Sequence, residues 1–200
     1  MLLEAPDQAR LLDHARTAII DSLHAEPKLS VPTAVARHAV MKDASALLAE
    51  HGASFISLSI DDVLRGCIGS IEPSRVLADD VWRNAQRAAF KDPRFAPLRE
   101  QESHGAHLEI SILGPLHDVR VASEAQLLTT LRPNVDGLLL TFGTKRATFL
   151  PKVWQQLADP QVFVRQLKRK MGVAEDFWHH AVVIRRYETE EFSARLRSDQ

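Results

Sequence analysis

The sequence predicts an α+β fold with a mainly antiparallel sheet and flanking helices. Residues 53–60 and 106–113 alternate apolar and polar side chains, as half-buried strands do. Over 7–24, apolar residues such as Leu11 and Ile19 recur at helical spacing. Helices and strands are mixed, at least two hairpins are indicated, and no glycine-rich βαβ unit is present, which together favour antiparallel pairing.

The other elements of the first half follow from turn and cap residues. Prolines at 27 and 32 predict a loop, and the alanine-rich stretch 33–51 is compatible with a helix. Asp61-Asp62 is a plausible turn before a return strand over 63–71, although the turn length and the register stay undetermined. Ser74 is a candidate cap for a helix over 75–90, in which Trp82 is expected to be core.

The second half is predicted in the same way. Ser123 and Gln126 form a capping-box pattern. Asp159-Pro160 precedes a helix that ends at Gly172. The predicted segments are a helix over 124–131, strands over 138–142 and 147–150, a short helix from Pro151, a helix to Met171, a strand over 181–187, and an exposed charged tail from Glu188 that contains a short helix.

Composition narrows the class of protein. Apolar residues are 45% of the chain and charged residues 26%, as in ordinary globular domains. The net charge of −1 gives no overall attraction to nucleic acid or anionic membranes. The single cysteine excludes an internal disulfide and fits a reducing compartment. With no signal-peptide pattern at the start and no apolar run long enough to span a bilayer, a cytoplasmic protein is expected.

The stretch 63–70 contains the single cysteine of the chain, Cys67, between Gly66 and Gly69. On a regular strand Arg65 and Cys67 point to the same face, and a cation beside a thiol raises the fraction of nucleophilic thiolate. The alternative is a structural cysteine packed in a strand that contains a glycine bulge. Both interpretations stay open, because an undetermined register leaves it undecided whether the pair faces the core or a groove.

The loop after the 75–90 helix carries an acid and a base between two prolines. Asp92 and Arg94 either pair with each other or line a pocket, since rigid loops often carry site residues. The histidines show no metal-ligand spacing, and no metal or cofactor is predicted. Basic residues at 165 and 168–170 indicate a solvated helix face, with an RNA-binding surface as the alternative.

Several motifs together resemble those of the AMMECR-domain family, also called AmmeMemoRadiSam system protein A. They occur in the order of the family over about residues 10–192, and the Gly-Lys that often precedes the Asp-Gly pair is replaced here by Asn134-Val135. The motifs are Ala-Ser-Phe-Ile-Ser-Leu at 53–58, Leu-Arg-Gly-Cys-Ile-Gly at 64–69, Ala-Phe-Lys-Asp-Pro-Arg-Phe at 89–95, Glu-Ile-Ser-Ile-Leu at 109–113 before Pro115, Asp136-Gly137-Leu138, and segments 147–153 and 167–178.

The resemblance implies one α+β domain over 7–192 with two lobes and a cleft, followed by a charged tail over 193–200. The biochemical function of the family is not established. Its bacterial and archaeal members accompany a radical S-adenosylmethionine enzyme and a Memo-like protein, which implies a shared pathway, such as modification of a base or another small molecule. These two proteins are the implied partners.

Two classes of function follow. In the first, the protein is catalytic at Arg65-Gly66-Cys67, with Cys67 as nucleophile or proton donor and Glu109 or Asp92 as acid or base. In the second, it is a non-catalytic module that binds a ligand, a nucleic acid or a protein, with Cys67 structural. The candidate ligand-binding residues are Arg65, Gly66, Gly69, Asp92, Arg94, Asp136 and Arg146.

Overall fold

The structure, a computed structural model, describes residues 3–25 and 31–197. These residues form two compact units. The first contains the described residues up to Leu113 and those from Glu190 onward, and the second is Gly114–Thr189. The loop predicted at Pro27 and the last three residues of the predicted tail lie outside the described residues.

The first unit combines a sheet with helices on one of its faces. Its helices are α1 (Ala5–Leu23), α2 (Ala34–Met41), α3 (Leu77–Phe90) and α4 (Glu100–Ser103), and a 3₁₀ turn covers Ala46–Ala49. Its strands are β1 (His51–Gly52), β2 (Ser54–Ile60), β3 (Val63–Gly69), β4 (Arg75–Val76), β5 (Ala106–Leu113) and β10 (Thr189–Arg195), whose first residue closes the second unit.

The main sheet has the strand order β10-β5-β2-β3, and β2 pairs antiparallel with both β3 and β5. Ile56 and Leu58 of β2 and Leu108 and Ile110 of β5 are fully buried on one face, in a core shared with α1 and α3. Each such side chain contributes about 1.5–3 kcal/mol when it leaves water. The opposite face, with Ser57 and its neighbours, is the polar one, as the alternation predicts.

Three predictions for the ends of elements in this unit are wrong. Ser74 does not cap α3, because residues 75–76 first pair with β1 and the helix then begins at Leu77, where Val76 is the N-cap. The helix over 33–51 is confined to α2, since Asp43 adopts a left-handed backbone conformation soon after it. The tail from Glu188 is a strand rather than a short helix, and Leu196 after it is buried.

The second unit is a four-stranded sheet, in the order β6-β9-β7-β8, packed against helices. Asp159 accepts a hydrogen bond from the Val162 amide at 2.9 Å, and Gly172 ends the helix in the left-handed conformation, as predicted. The elements are β6 (His117–Asp118), α5 (Glu124–Thr130), β7 (Gly137–Phe142), β8 (Lys145–Phe149), a 3₁₀ turn (Pro151–Gln155), α6 (Pro160–Met171) and β9 (Val183–Tyr187).

The basic surface predicted on α6 is only partly solvated. Arg169 and Lys170 are exposed, but Lys168 is almost fully buried and its ammonium donates to Glu124 Oε2 at 2.6 Å. A buried ammonium is tolerated when a carboxylate and hydrogen bonds compensate its lost hydration. The prediction of a wholly solvated face is therefore wrong at Lys168.

The predicted α+β class and antiparallel pairing are confirmed, and Trp82 is core, as expected. Across residues 3–25 and 31–197, no helix combines the length with the apolar character that crossing a membrane requires.

Candidate functional site

The β2–β3 hairpin determines how the Leu-Arg-Gly-Cys-Ile-Gly motif is presented. Asp61 and Asp62 form its two-residue turn, and both adopt positive φ angles, 49° and 61°. After the turn, Leu64 pairs with Ser59 and Gly66 with Leu58, so Arg65 is an extra residue that forms a β-bulge. Strand parity therefore does not relate the directions of Arg65 and Cys67, contrary to the regular-strand expectation.

One ion pair, between Asp92 and Arg94, forms hydrogen bonds with both the amide and the carbonyl of Cys67 on the open edge of β3. The amide of Cys67 donates to Asp92 Oδ2 at 2.9 Å, and its carbonyl oxygen accepts a hydrogen bond from Arg94 Nη2 at 3.3 Å. Arg94 also donates to Asp92, from Nε at 3.0 Å and from Nη2 at 2.7 Å. We call Asp92 and Arg94 the edge clamp, because they satisfy groups that an edge strand otherwise leaves unpaired.

The ion pair of the edge clamp shifts the pKa values of both of its residues. The hydrogen bonds from the Arg94 side chain lower the pKa of Asp92 to about 2, although burial acts in the opposite direction. The same contact raises the pKa of Arg94. Asp92 and Arg94 therefore pair with each other, and their hydrogen bonds to Cys67 go to its backbone.

A second ion pair fixes the bulge. Arg65 donates to Glu102 from Nε at 2.9 Å and from Nη2 at 3.2 Å, and Nη2 also donates to the carbonyl of Pro97 at 3.3 Å. The hydrogen bond from Arg65 lowers the pKa of Glu102 to about 2. The Arg65 guanidinium is thus paired with Glu102 and joins the bulge to α4.

On the polar face of the sheet, three strands bring a thiol, a hydroxyl and a carboxylate side by side. Ser57 of β2 lies opposite Cys67 of β3 and opposite Glu109 of β5. Directly opposed side chains have Cβ atoms about 4.5–5.5 Å apart. The Ser57 hydroxyl donates to the sulfur of Cys67 at 3.4 Å. Cys67 and Glu109 are half-buried and Ser57 is buried; we call these three residues the polar row.

The two glycines of the motif have packing roles. A Cβ at Gly66 would overlap the carbonyl oxygen of Ala88, so the absence of a side chain lets α3 lie directly against β3. A Cβ at Gly69 would overlap the ring of Phe55 on the neighbouring strand. Gly66 thus allows helix packing on one face while Cys67 presents its thiol on the other.

The remaining candidates, Asp136 and Arg146, belong to the second unit. Asp136 is fully buried and accepts hydrogen bonds from Arg132, from the backbone amide at 2.9 Å and from the side-chain Nη2 at 2.6 Å. The backbone oxygen of Asp136 accepts the indole N–H of Trp154 at 2.7 Å. Arg146 is exposed on β8.

Sequence reasoning missed Ser57 and Glu102. The alternation of β2 placed Ser57 on the polar face, but only the register shows that it lies between Cys67 and Glu109. Glu102 pairs with Arg65 although the two residues are 37 positions apart in the sequence, and no local sequence pattern predicts such a pair. Within the described part of the chain, no group of three or more His, Cys, Asp or Glu side chains is arranged to hold a metal ion.

Comparison with known proteins identifies the family. The sequence pattern of the AMMECR1 family matches residues 12–192. A protein of Methanothermobacter thermautotrophicus is 31% identical over 175 residues, 86% of each chain. Protein MJ0810 of Methanocaldococcus jannaschii is 34% identical over 134 residues, 66% of this chain and 67% of that protein.

The fold is also found in a solved structure. The crystal structure of the uncharacterized protein PH0010 from Pyrococcus horikoshii matches with a TM-score of 0.84 at 25% identity, over 96% of this chain and 93% of that one. The resemblance deduced from the motifs is therefore confirmed, and the chain belongs to the AMMECR1 family.

Proposed function

We propose that the polar row is a catalytic site, with Cys67 as nucleophile or proton donor and Glu109 as acid or base. The main support is that the thiol, the hydroxyl of Ser57 and the carboxylate project from three adjacent strands on the same face of the sheet. Side chains on paired strands are held more rigidly than side chains on loops, which is what a reactive group requires. Ser57, between the other two, is in position to relay a proton.

The edge clamp supports this proposal by fixing the main chain of Cys67 on both sides. A nucleophile works best when its direction is set before the substrate arrives. Arg94 is also the better candidate for an anion contact, because its side chain is 55% exposed while that of Arg65 is 15% exposed. In this function Arg94 binds a negatively charged substrate group while it holds Cys67, and Arg65 holds the bulge.

We further propose that the reaction belongs to a cytoplasmic pathway that includes a radical S-adenosylmethionine enzyme and a Memo-like protein. The reason is the association of these proteins with the family. A site that offers a thiol and a carboxylate suits acid-base or nucleophilic chemistry on a small molecule that the radical enzyme produces or consumes.

One observation favours a second function, a non-catalytic binding module. Both arginines near Cys67 are paired with carboxylates, Arg65 with Glu102 and Arg94 with Asp92, and each contact to Cys67 from the clamp is to its backbone. In that function Cys67 is a structural residue of the hairpin and Arg94 is the ligand anchor.

Alkylation of Cys67 by iodoacetamide tests the first function against the second. Because the chain has one cysteine, mass spectrometry of the intact protein reports this site alone. We expect labelling in the native protein at pH 7. Glu109→Gln should change the rate about two- to tenfold, since it removes a charged side chain that lies roughly two strand spacings from the thiol.

Asp61→Asn is the matched control, because it removes one negative charge from the exposed tip of the same hairpin. It should leave the rate within about a factor of two. Labelling that requires denaturation would overturn the catalytic proposal and support the binding module. Native labelling that is insensitive to Glu109→Gln would show that the polar row does not act as a unit.

The partnership is tested separately, by size-exclusion chromatography of the purified protein with the radical enzyme and the Memo-like protein of the same genome. We expect co-elution with at least one of them. Three separate peaks, together with no change in the product of the radical enzyme when this protein is added, would overturn the pathway proposal and leave the thiol chemistry to be judged by alkylation.

A further inference from the structure

A cavity of about 640 Å³ lies within the second unit, apart from the residues of the polar row. One wall is the β6–β9 ladder with the irregular segment 119–122 that follows β6, and the other is the segment that precedes β9. Its size is within the range of small-molecule sites, about 300–1,000 Å³. Its polar and aromatic lining includes Asp118, Arg120, Trp178, His179 and His180.

Aromatic rings form one side of this cavity. The ring of His179 lies 4.2 Å from that of His180, with an angle of 30° between their planes. The ring of His179 also contacts Phe142, with ring centres 5.2 Å apart and an angle of 59° between the planes, and Phe142 contacts Phe177 at 5.0 Å. Trp178 lines the same cavity. The cavity thus offers flat, supported ring surfaces on which another planar ring can stack.

The polar groups of the cavity are mainly donors. His179 Nδ1 accepts a hydrogen bond from the backbone amide of Ala181 at 3.1 Å, so the neutral imidazole carries its proton on Nε2. The indole N–H of Trp178 and the guanidinium of Arg120 are further donors. Within residues 3–25 and 31–197, no protein acceptor binds His179 Nε2, the Trp178 indole or Arg120.

The charges in the cavity leave an excess cation. Asp118 is the acidic residue of the lining, and Arg185 Nε lies 3.0 Å from its Oδ1. Arg120, by contrast, has no acidic partner among the described residues. A guanidinium without a partner, beside further N–H donors, attracts an anionic group and binds it by charge-assisted hydrogen bonds.

From the rings and the unpaired donors together, we propose that this cavity binds a planar aromatic ligand that carries a phosphate or carboxylate, of about the size of a mononucleotide. The ring stacks against Trp178 and the exposed face of the imidazole pair, and Arg120 binds the anion. None of the lining residues belongs to the polar row, and the proposal does not depend on the chemistry of Cys67.

Tryptophan fluorescence tests the proposal directly. Of the three tryptophans in the chain, Trp82 and Trp154 are 2% and 1% exposed, whereas Trp178 is half-buried at the cavity. AMP, adenosine and ribose 5-phosphate serve as probes of ring plus anion, ring alone and anion alone. We expect AMP to quench the emission saturably and to bind more tightly than either of the other two.

Variants separate the contributions of the charge and the rings. Arg120→Met should weaken AMP at least tenfold and leave adenosine within about twofold, because it removes only the anion contact. Arg83→Met, an exposed arginine of the first unit, should change neither. Trp178→Phe should abolish the quenching, and calorimetry should still detect AMP binding, since phenylalanine also stacks.

Three results would overturn the proposal. They are the absence of saturable binding of AMP by both fluorescence and calorimetry, equal affinity for adenosine and AMP, and equal affinity for ribose 5-phosphate and AMP. Cys67→Ser should leave AMP binding unchanged, so loss of the thiol function and loss of this site are distinguishable.

Discussion

Each of the two units contains a buried aspartate held by an arginine a few residues away, and the two pairs differ in what they fix. In the first unit, Asp92 and Arg94 bond to the main chain of Cys67 on an edge strand. In the second, Arg132 and Asp136 bond to each other around a turn next to Trp154. The same device therefore fixes the main chain of Cys67 on an edge strand in one unit and closes a turn in the other.

The comparison shows that a buried, paired carboxylate in a signature motif does not by itself indicate a ligand site. Asp92 and Asp136 were both candidate ligand-binding residues, and the structure pairs each with an arginine. What distinguishes the two is the segment that each pair holds in place: the main chain of Cys67 for Asp92 and Arg94, and the turn at 132–136 for the other pair. The predictions below test that distinction, beginning with the largest expected effect.

Gly66→Ala should have the largest effect on the first unit. The added methyl group would overlap the backbone oxygen of Ala88, which cannot move without displacing α3. Overpacking against a main chain should cost about 3 kcal/mol in the free energy of unfolding, measured by urea denaturation. The control is Gly105→Ala, where the nearest atom is 3.8 Å from the new Cβ and the change should stay within about 1 kcal/mol. Equal costs for the two variants would contradict close packing at Gly66.

Asp136→Ala and Asp92→Ala test the difference between the pairs directly. We expect Asp136→Ala and Asp92→Ala each to cost about 2–3 kcal/mol, because each removes a buried acceptor, although Arg132 keeps its hydrogen bond to Glu188. Only Asp92→Ala should change the rate of Cys67 alkylation in the native protein. A similar change in both variants would remove the functional distinction.

The pH dependence of stability should show the contribution of Asp92. Its pKa of about 2 in the folded protein lies below the ordinary value of 3.8, so its stabilisation is complete above pH 4 and is lost as the pH falls toward 2. The difference in unfolding free energy between wild type and Asp92→Asn should shrink by about 2 kcal/mol across that window. An unchanged difference would contradict the ion pair.

His14 also makes the stability of the protein depend on pH, but at higher pH than Asp92. It does not affect the difference between wild type and Asp92→Asn. Burial lowers its pKa from 6.5 to about 4, so the folded protein loses stability as the pH falls from 6.5 to 4, where the unfolded chain takes up the proton first. That loss is common to wild type and Asp92→Asn and cancels in their difference.

Ser57→Ala should have the smallest effect on stability, about 1 kcal/mol or less. It removes the hydroxyl that donates to the sulfur of Cys67, so we expect alkylation of the native protein to slow by about two- to threefold. Ser59→Ala, two residues along the same face, is the control and should leave the rate unchanged. Slowing in both variants would assign the effect to the strand rather than to the hydrogen bond.

Much of the fold could be predicted because it depends on local patterns. Alternation placed β2 and β5, helical spacing placed α1, and Asp159 and Gly172 marked the ends of α6. The prediction failed where a distant contact overrode a local signal. Charged residues in β10 suggested an exposed tail, yet the strand joins β5, and Phe192 and Ala194 pack against the core.

The residues of the candidate site could also be predicted only in part from the sequence. The sequence by itself identified Cys67, Glu109, Asp92 and Arg94, because unusual residues in a recognisable motif can be seen without a fold. Only the tertiary structure decided that Arg65 is a bulge residue paired with Glu102, that Asp92 and Arg94 hold the backbone of Cys67, and that Ser57 lies between the thiol and the carboxylate. The physical reason is that strand register and ion-pair partners are set by packing between distant segments, whereas periodicity reports only which face a residue occupies.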